Sequence, residues 1–352
     1  MSTLVDKAAP VRLSEELPVK ALEAFIRAQL PELRGEMAIA QFPSGASNLT
    51  YEVSFGDDAF ILRRPPFGTV PKSAHDMLRE AKVIQSIRPS YPLAPDVVLA
   101  CDDHSVMGCD FYLMKPISGI IIRKELPNNL VLSESQLTTM CQRSIDALID
   151  LHNVDIKKDG IAQLGKGVGY VERQVKGSCE RFLRAKTDDV KDFSVVISWL
   201  QENQPKTNQL ALIHNDFRLD NLVWDPSDPL RIIGVLDWEM ATIGDPLMDL
   251  GVSLAYWVEA EDHPVLHAMR QQPSHLKGMM SRDEFVAYYF QRSGIKEQEF
   301  QFYYVFGLFR LTMIAQQIYS RYYHKQTLDK RFSGLGQVVN VLEEKCLDLI
   351  GK

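Results

Sequence analysis

The sequence predicts an α+β chain: a small N-terminal, mainly antiparallel five-stranded sheet with one inserted helix, then a larger, mainly helical C-terminal part. Three observations carry this expectation. From Met37 to Met114, short runs of β-branched and aromatic residues alternate with Gly, Asp and Pro clusters, the pattern of strands joined by tight turns. Beyond Ser118-Gly119, apolar residues recur at the three-to-four spacing of helices buried on one face. Between the helical segments lies one short strand–loop–strand–turn–strand stretch, Leu212 to Asp237, dense in Asp, Asn and Arg.

Residues 1–13 read as a tail. Ser14-Glu15-Glu16 is expected to open a helix with Pro18 in its first turn and an apolar stripe at Val19, Leu22, Phe25, Ile26 and Leu30. Ile39 to Phe42 is the first strand, and Pro43 to Asn48 a small-residue turn. Thr50–Phe55 and Ala59–Arg63 flank Gly56-Asp57-Asp58, a hairpin signal. A helix is expected over about 73–87, followed by strands Val97–Ala100 and Phe111–Met114 on either side of a polar turn at Asp102-Asp103-His104. Ser133-Glu134-Ser135-Gln136 is a capping box opening a helix to His152. Further helices are expected over 171–185, 193–202, 245–257, 282–293, 297–323 and 335–350. The resulting domain expectation is an N-terminal tail and helix (1–35), a small lobe (36–115) and a helical lobe (116–352).

Composition narrows the function classes. The 352 residues are 45% hydrophobic and 24% charged, ordinary values for a globular enzyme, and suffice for a large core. The formal net charge of −7 lacks the basic footprint of a nucleic-acid binder. The five cysteines (101, 109, 141, 179 and 346) are scattered without a C-x-x-C pair, which favours free thiols over a disulfide framework or zinc site. The N-terminus has no apolar signal core, and no run approaches the ~18 apolar residues of a membrane span. A cytoplasmic protein with no membrane or nucleic-acid partner is expected; oligomeric state is not legible.

The chemistry concentrates in Leu212–Asp237. The hairpin made by Leu222–Trp224 and Ile232–Leu236, turning at Asp225-Pro226-Ser227-Asp228-Pro229, is expected to bring Asp216, Asn221 and Asp237 together. Two carboxylates and an amide oxygen are hard ligands suited to Mg²⁺ held with substrate phosphates. Arg218 is either a cation for a transferring phosphoryl group or the ion-pair partner of Asp220. His214 is expected to be a buried structural histidine; Asp245 and Asp249 fasten the loop and cap the next helix. Gly165-Lys166-Gly167-Val168-Gly169 lacks the Walker spacing and the following Ser/Thr, and reads as a loop before a helix. The aromatic run Phe300, Phe302, Tyr303, Tyr304, Phe306, Phe309 reads as helix core first and an acceptor pocket second.

With these residues in place, the chain resembles the aminoglycoside phosphotransferase and choline kinase-like family, whose fold is protein-kinase-like and two-lobed. His214-x-Asp216-x-x-x-x-Asn221 resembles the family's catalytic loop, Val235-Leu236-Asp237-Trp238-Glu239 its metal-binding segment, and Ile243-Gly244-Asp245-Pro246 with Asp249-Leu250 the segment that follows. Ser47-Asn48-Leu49-Thr50-Tyr51, Ile61 to Pro66, Phe111 to Met114 and Leu151 to Asp155 are similar to a subgroup, the kinase-like domain fused to some acyl-CoA dehydrogenases. The resemblance implies an ATP- and Mg²⁺-dependent kinase acting on a small-molecule hydroxyl, with a 4-hydroxyacyl-CoA as candidate acceptor. It implies Asp216 as catalytic base, Arg218 as phosphoryl cation, and Asn221 and Asp237 as Mg²⁺ ligands. In the small lobe it implies a phosphate-covering loop at Ser44, Gly45, Ser47 and Asn48, although Ser44 stands where family loops tend to carry a further glycine. Arg63 takes the place of the usual lysine, with Arg64 as competitor and Glu80 as partner, and Met114 and Lys115 form the adenine hinge. Arg173, Lys176, Arg181, Arg184, Arg310, Arg321, Lys325, Lys330 and Arg331 make cation-rich helices that either suit an anionic acceptor or are solvated basic faces. The alternatives are an aminoglycoside-, choline- or homoserine-type kinase, or a non-catalytic nucleotide-binding pseudokinase.

Overall fold

The computed structural model describes residues 6–42, 48–68, 76–158, 160–206 and 209–352. The chain divides into two compact units; residues 222–240 belong with the N-terminal unit, and residues 122–158, 162–221 and 241–352 form the second.

The first unit is built on a five-stranded antiparallel sheet of β1 (Met37–Gln41), β2 (Leu49–Phe55), β3 (Asp58–Arg64), β4 (Val97–Cys101) and β5 (Phe111–Met114), in the order β1-β2-β3-β5-β4. Strand alternation puts Leu49, Tyr51, Val53 and Phe55 of β2 on the buried face. They join a core with Leu22 and Ile26 of helix α1 (Val19–Gln29). Helix α2 (Met77–Ile87) starts at Asp76, whose carboxylate accepts from the Arg79 amide, and buries Met77, Ala81, Ile84 and Ile87. A second, three-stranded sheet has β8 (Leu222–Trp224) between β6 (Ile120–Ile121) and β9 (Ile232–Val235), so the predicted hairpin forms.

Two expectations for this unit are corrected. The first helix begins at Val19, with Pro18 at its N-cap, rather than at Ser14. Ser14 sits at φ 68°, and the Glu15 segment is tied to the sheet instead. Gln41 Nε2 donates to the Glu15 carboxylate (2.5 Å), and Tyr51 Oη donates to its carbonyl (2.8 Å). The turn between β4 and β5 contains a one-turn helix, α3 (His104–Met107), capped by Asp103 and ended by Gly108 at φ 75°.

The second unit is helical around a short antiparallel pair, β7 (Ala211–Ile213) with β10 (Thr242–Gly244). Its helices are α4 (Glu134–His152), α5 (Tyr170–Ala185), α6 (Ser194–Glu202), α7 (Pro246–Ala255), α8 (Pro264–Met269), α9 (Arg282–Ser293), α10 (Gln301–Tyr323) and α11 (Leu335–Leu349). The Ser133/Gln136 capping box opens α4 as expected, and α8 is an additional short helix. Helices α7 and α10 touch backbone to backbone where Gly251 meets Gly307: a methyl group at either would strike Tyr303 O or Gly251 O respectively. Phe302, Tyr303, Phe306 and Phe309 of α10 are core, and Phe300 is half-buried.

Candidate active site

In the first unit, one arginine gathers two carboxylates. Residues alternate across β3, so Arg63 and Arg64 leave on opposite faces. Arg63 Nη2 lies 3.0 Å from Asp237 Oδ1, to which it donates, and 3.4 Å from Glu80 Oε1. Arg64 instead donates to the Pro65 carbonyl (3.0 Å) and lies 3.7 Å over the Phe67 ring. The geometry thus brings Arg63, not Arg64, to Glu80 and Asp237. Asp237 has φ 66°, a left-handed conformation that turns the chain from β9 into a 3₁₀ turn, Trp238–Met240. Trp238 Nε1 donates to Val235 O (2.8 Å), holding that turn.

The electrostatics of this group follow from burial. Glu80 is 1% exposed, and burial pushes its carboxyl up to about 7, although Arg63 pulls the other way. Burial also works against the Arg63 charge, but Glu80, Tyr112 and Asp237 hold its guanidinium well above the usual range. The Tyr112 hydroxyl is raised by burial and by Glu80. Among the described residues, Arg63 Nε, both Glu80 oxygens and Tyr112 Oη lack a well-formed hydrogen bond. Of these, Arg63 Nε and the Tyr112 hydroxyl are donors of the kind that suits phosphate oxygens, whereas the oxygens of an ionised Glu80 can only accept.

Asn48 Nδ2 donates to Glu239 Oε2 (3.0 Å), and Arg79 Nη1 donates to the Glu239 carbonyl (2.7 Å). Glu239 was not singled out by sequence reasoning; its position two residues after Asp237 was the available signal. Met114 pairs with Ile61 and Val97, and the Lys115 amide is committed to Asp96 O (2.8 Å). Ser44, Gly45 and Ser47 lie outside the described residues.

The second unit holds the loop between β7 and β8. His214 is fully buried. Its amide donates to Asp249 Oδ2 (2.8 Å), and the next amide, Asn215, to Asp249 Oδ1 (2.7 Å). His152 Nε2 stands 3.1 Å from Asp249 Oδ2, and its Nδ1 is 2.7 Å from Tyr289 Oη. Burial alone would raise the Asp249 carboxyl, but His152 and these amides hold it below its ordinary range. Asp245 caps α7 by accepting from the Leu247 amide (2.8 Å). His152, Tyr289 and Gln272, which accepts from the Leu219 amide (2.8 Å), complete the support. Sequence reasoning gave none of these three a role, because their partners lie far along the chain.

The loop presents Asp216 at its end. Asn221 Nδ2 donates to Asp216 O (2.8 Å) and Oδ2 (3.0 Å), and Arg218 Nη1 lies 3.4 Å from Asp216 Oδ1. Arg218 also grips Asp220 through Nε (3.0 Å) and Nη2 (3.1 Å), and its guanidinium lies 4.7 Å over the Tyr256 ring. Arg218 thus forms the expected ion pair with Asp220 and also faces Asp216. Several basic residues expected to meet an acceptor have internal partners. Arg173 donates to Gly167 O (3.0 Å), Arg310 to Asn215 Oδ1 (3.2 Å), and Arg331 pairs with Asp329.

A model of the phosphotransferase enzyme family matches residues 38–286. The chain belongs to that family. Among curated relatives of this phosphotransferase, mouse acyl-CoA dehydrogenase family member 10 is 31% identical over 351 residues, 99% of this chain and 32% of the relative. Human acyl-CoA dehydrogenase family member 11 is 32% identical over 323 residues, 88% of this chain and 41% of the relative. The phosphotransferase chain thus spans well under half the length of these relatives. Its fold is kinase-like. A structure assigned as an aminoglycoside phosphotransferase from Ralstonia eutropha JMP134 superposes with a TM-score of 0.81 at 24% identity, covering 96% of this chain and 99% of that one. Choline kinase from Cryptosporidium parvum superposes at 0.60 and 13% identity, covering 94% and 97%. Among the described residues no helix is long and apolar enough to cross a membrane.

Proposed function

We propose that this chain transfers the γ-phosphoryl group of ATP to a hydroxyl of a small molecule. The observation that carries the reading is the state of Asp216: both carboxylate oxygens are oriented, one by Asn221 and one by Arg218, while the side chain keeps 23% of its surface exposed. A carboxylate so held can accept the proton of an attacking hydroxyl. The acceptor O–H bond breaks toward Asp216, the oxygen bonds to the γ-phosphorus, and the bond to the β-phosphate oxygen breaks to release ADP. Arg63 binds phosphate bidentately in the lysine's place. Asn48 covers the phosphates, and Met114 and Lys115 border the adenine. Asn221 and Asp237 supply hard oxygen ligands for Mg²⁺, which when bound neutralises charge on the phosphates. Among the described residues no group of three or more His, Cys, Asp or Glu side chains is placed to hold a metal ion.

Nucleotide use has support from a neighbour solved with GDP and kanamycin and another solved with ADP and hygromycin B, each similar in fold. For the acceptor, the candidate is a 4-hydroxyacyl-CoA, against an aminoglycoside, choline or homoserine; the relatives named as acyl-CoA dehydrogenase family members lend support to an acyl-CoA. Mg²⁺-ATP incubated with a panel of these four acceptor classes, with ADP release as readout, tests both statements. Turnover is expected with hydroxyacyl-CoA and loss of it in Asp216→Asn. No acceptor-dependent ADP above the Asp216→Asn background overturns the kinase reading; turnover of kanamycin alone overturns the acyl-CoA acceptor.

A further inference from the structure

The second unit contains an open cleft that none of the roles above uses. Its walls are mainly apolar: Trp257, Leu266, Leu308, Leu311, Ala315 and Val338, drawn from the segment after α7 and from α8, α10 and α11. Tyr256 belongs to the cleft lining and also lies beneath the Arg218 guanidinium, which faces Asp216. The Tyr256 ring is thus shared between the cleft wall and the Arg218–Asp216 pair.

Its charges are already spoken for. Asp262, the one acid of the lining, is held by Arg282 (2.6 Å) and by Lys345. Burial would raise the Asp262 carboxyl, but these two cations hold it down to about 2. Arg282 is shared with Glu259 (2.5 Å), its guanidinium 5.5 Å from the Tyr304 ring centroid, and Arg270 pairs with Glu125. A polycation would find no uncommitted carboxylate in this lining, and its cations Arg282, Lys345 and Arg270 each already face an acid, with one buried donor, Arg270 Nε, left without a partner. What the walls offer a ligand is apolar surface, whose burial is the favourable term. The complementary group is uncharged and flexible enough to follow the cleft.

We propose that this cleft receives an alkyl chain of the phosphate acceptor, and that Leu308, Leu311, Ala315 and Val338 set the length it accepts. The proposal rests on the phosphotransfer reading and adds the acceptor's shape: a hydroxyl placed at Asp216 and a hydrocarbon tail leading away over Tyr256. It also disfavours aminoglycosides on the ground of charge.

The test uses 4-hydroxyacyl-CoA thioesters of increasing chain length as substrates, and the same thioesters without the hydroxyl as ligands in calorimetry. Each methylene that enters the cleft should raise kcat/KM, and tighten binding of the hydroxyl-free series, by about fourfold until the cleft is full. Leu311 is only partly buried, so Leu311→Phe can fill the cleft without opening the core; the long-to-short ratio of kcat/KM should fall about tenfold or more. The hydroxyl-free series needs no variant and stands if Leu311→Phe fails to fold. Chain-length-independent turnover and binding in the wild type, or equal loss at every length in Leu311→Phe, overturns the cleft assignment while leaving phosphotransfer intact. A chain-length slope in binding without any phosphorylation supports the cleft and sinks the kinase reading instead.

Discussion

Arg63→Met tests the idea that one guanidinium compensates two acids. Methionine keeps the length and apolar stem but removes the charge that stands 3.0 Å from Asp237 and 3.4 Å from Glu80. At an effective dielectric of about 20, each attraction is on the order of 5 kcal/mol before desolvation is counted. Desolvation offsets most of this, yet deleting one partner strands the other charge, and the expected net loss is about 3–5 kcal/mol. The pH dependence separates this cause from simple loss of packing. The Glu80 carboxyl sits at about 7 in the fold against 4.5 ordinarily, so the native state binds its proton more tightly than the unfolded chain. Stability from this group is thus greatest at low pH, declines as pH rises from the ordinary carboxylate range to about 7, and is level above. In Arg63→Met the lowering influence of Arg63 is gone and the carboxyl rises further. The decline should then continue past neutrality with a slope near 1.4 kcal/mol per pH unit. Urea denaturation from about pH 6 to about pH 8 measures it, and Glu80→Gln added to Arg63→Met should recover most of the loss. Equal midpoints for Arg63→Met and wild type, or a deficit that does not vary with pH, would refute the compensation argument.

Other perturbations read other parts of the frame. Asp249→Ala removes the acceptor of two loop amides and the partner of His152; a loss of about 3 kcal/mol is expected by chemical denaturation, with kcat falling more than the KM for ATP. Because the Asp249 carboxyl is held low, its stabilisation is complete above the ordinary carboxylate range and fades only as pH falls below it, so the wild-type advantage over Asp249→Ala should shrink in acid. Gly307→Ala forces α10 away from α7 and should cost about 1–3 kcal/mol or more, measured as a lower Tm, whereas Gly334→Ala, with open space around it, should be close to neutral. Arg218→Lys keeps the charge but loses the two-pronged grip on Asp220, and a drop in kcat of about tenfold or more with little change in ATP binding is expected from steady-state kinetics.

The strands of the first unit were legible because their signal is local: β2 alternates buried and half-buried residues along its whole length, and Gly56 follows it at a positive φ. The capping box at Ser133 and the Asp245 cap were legible for the same reason, since each is closed within three residues. What escaped is what is made across long separations. Ser14-Glu15-Glu16 has good helix-start chemistry, yet the helix begins later, because Gln41 and Tyr51, some 26 to 36 residues on, tie Glu15 to the sheet. The His152–Asp249 contact spans 97 residues and the Lys345–Asp262 contact 83, so neither leaves a local trace. The choice between Arg63 and Arg64 was open in the sequence for another reason. Adjacent residues of a strand are chemically equal on paper and differ only in face.

The acids of the central stretch look alike in the sequence, and their neighbours are what sort them. Asp249 is wholly buried and spends both oxygens on amides and His152; Asp245 is 2% exposed and caps a helix. The Asp225 side chain is 10% exposed and is taken up by Ser227 and Arg231, and Asp220, 18% exposed, by Arg218. A carboxylate in such a position can shape the backbone but can scarcely reach a substrate. Asp216 and Asp237 keep 23% and 27% of their side-chain surface, the largest shares of these six, although Asp228 in the hairpin turn is more exposed than either. Each is also steered by an arginine from its own unit, Arg218 for Asp216 and Arg63 for Asp237. Access and orientation together are what proton transfer and metal ligation require of a carboxylate. The same criterion explains the spacing of the motif. Asp249 holds the amides of residues 214 and 215, which fixes the backbone one residue before Asp216 and leaves the Asp216 side chain outside the buried network.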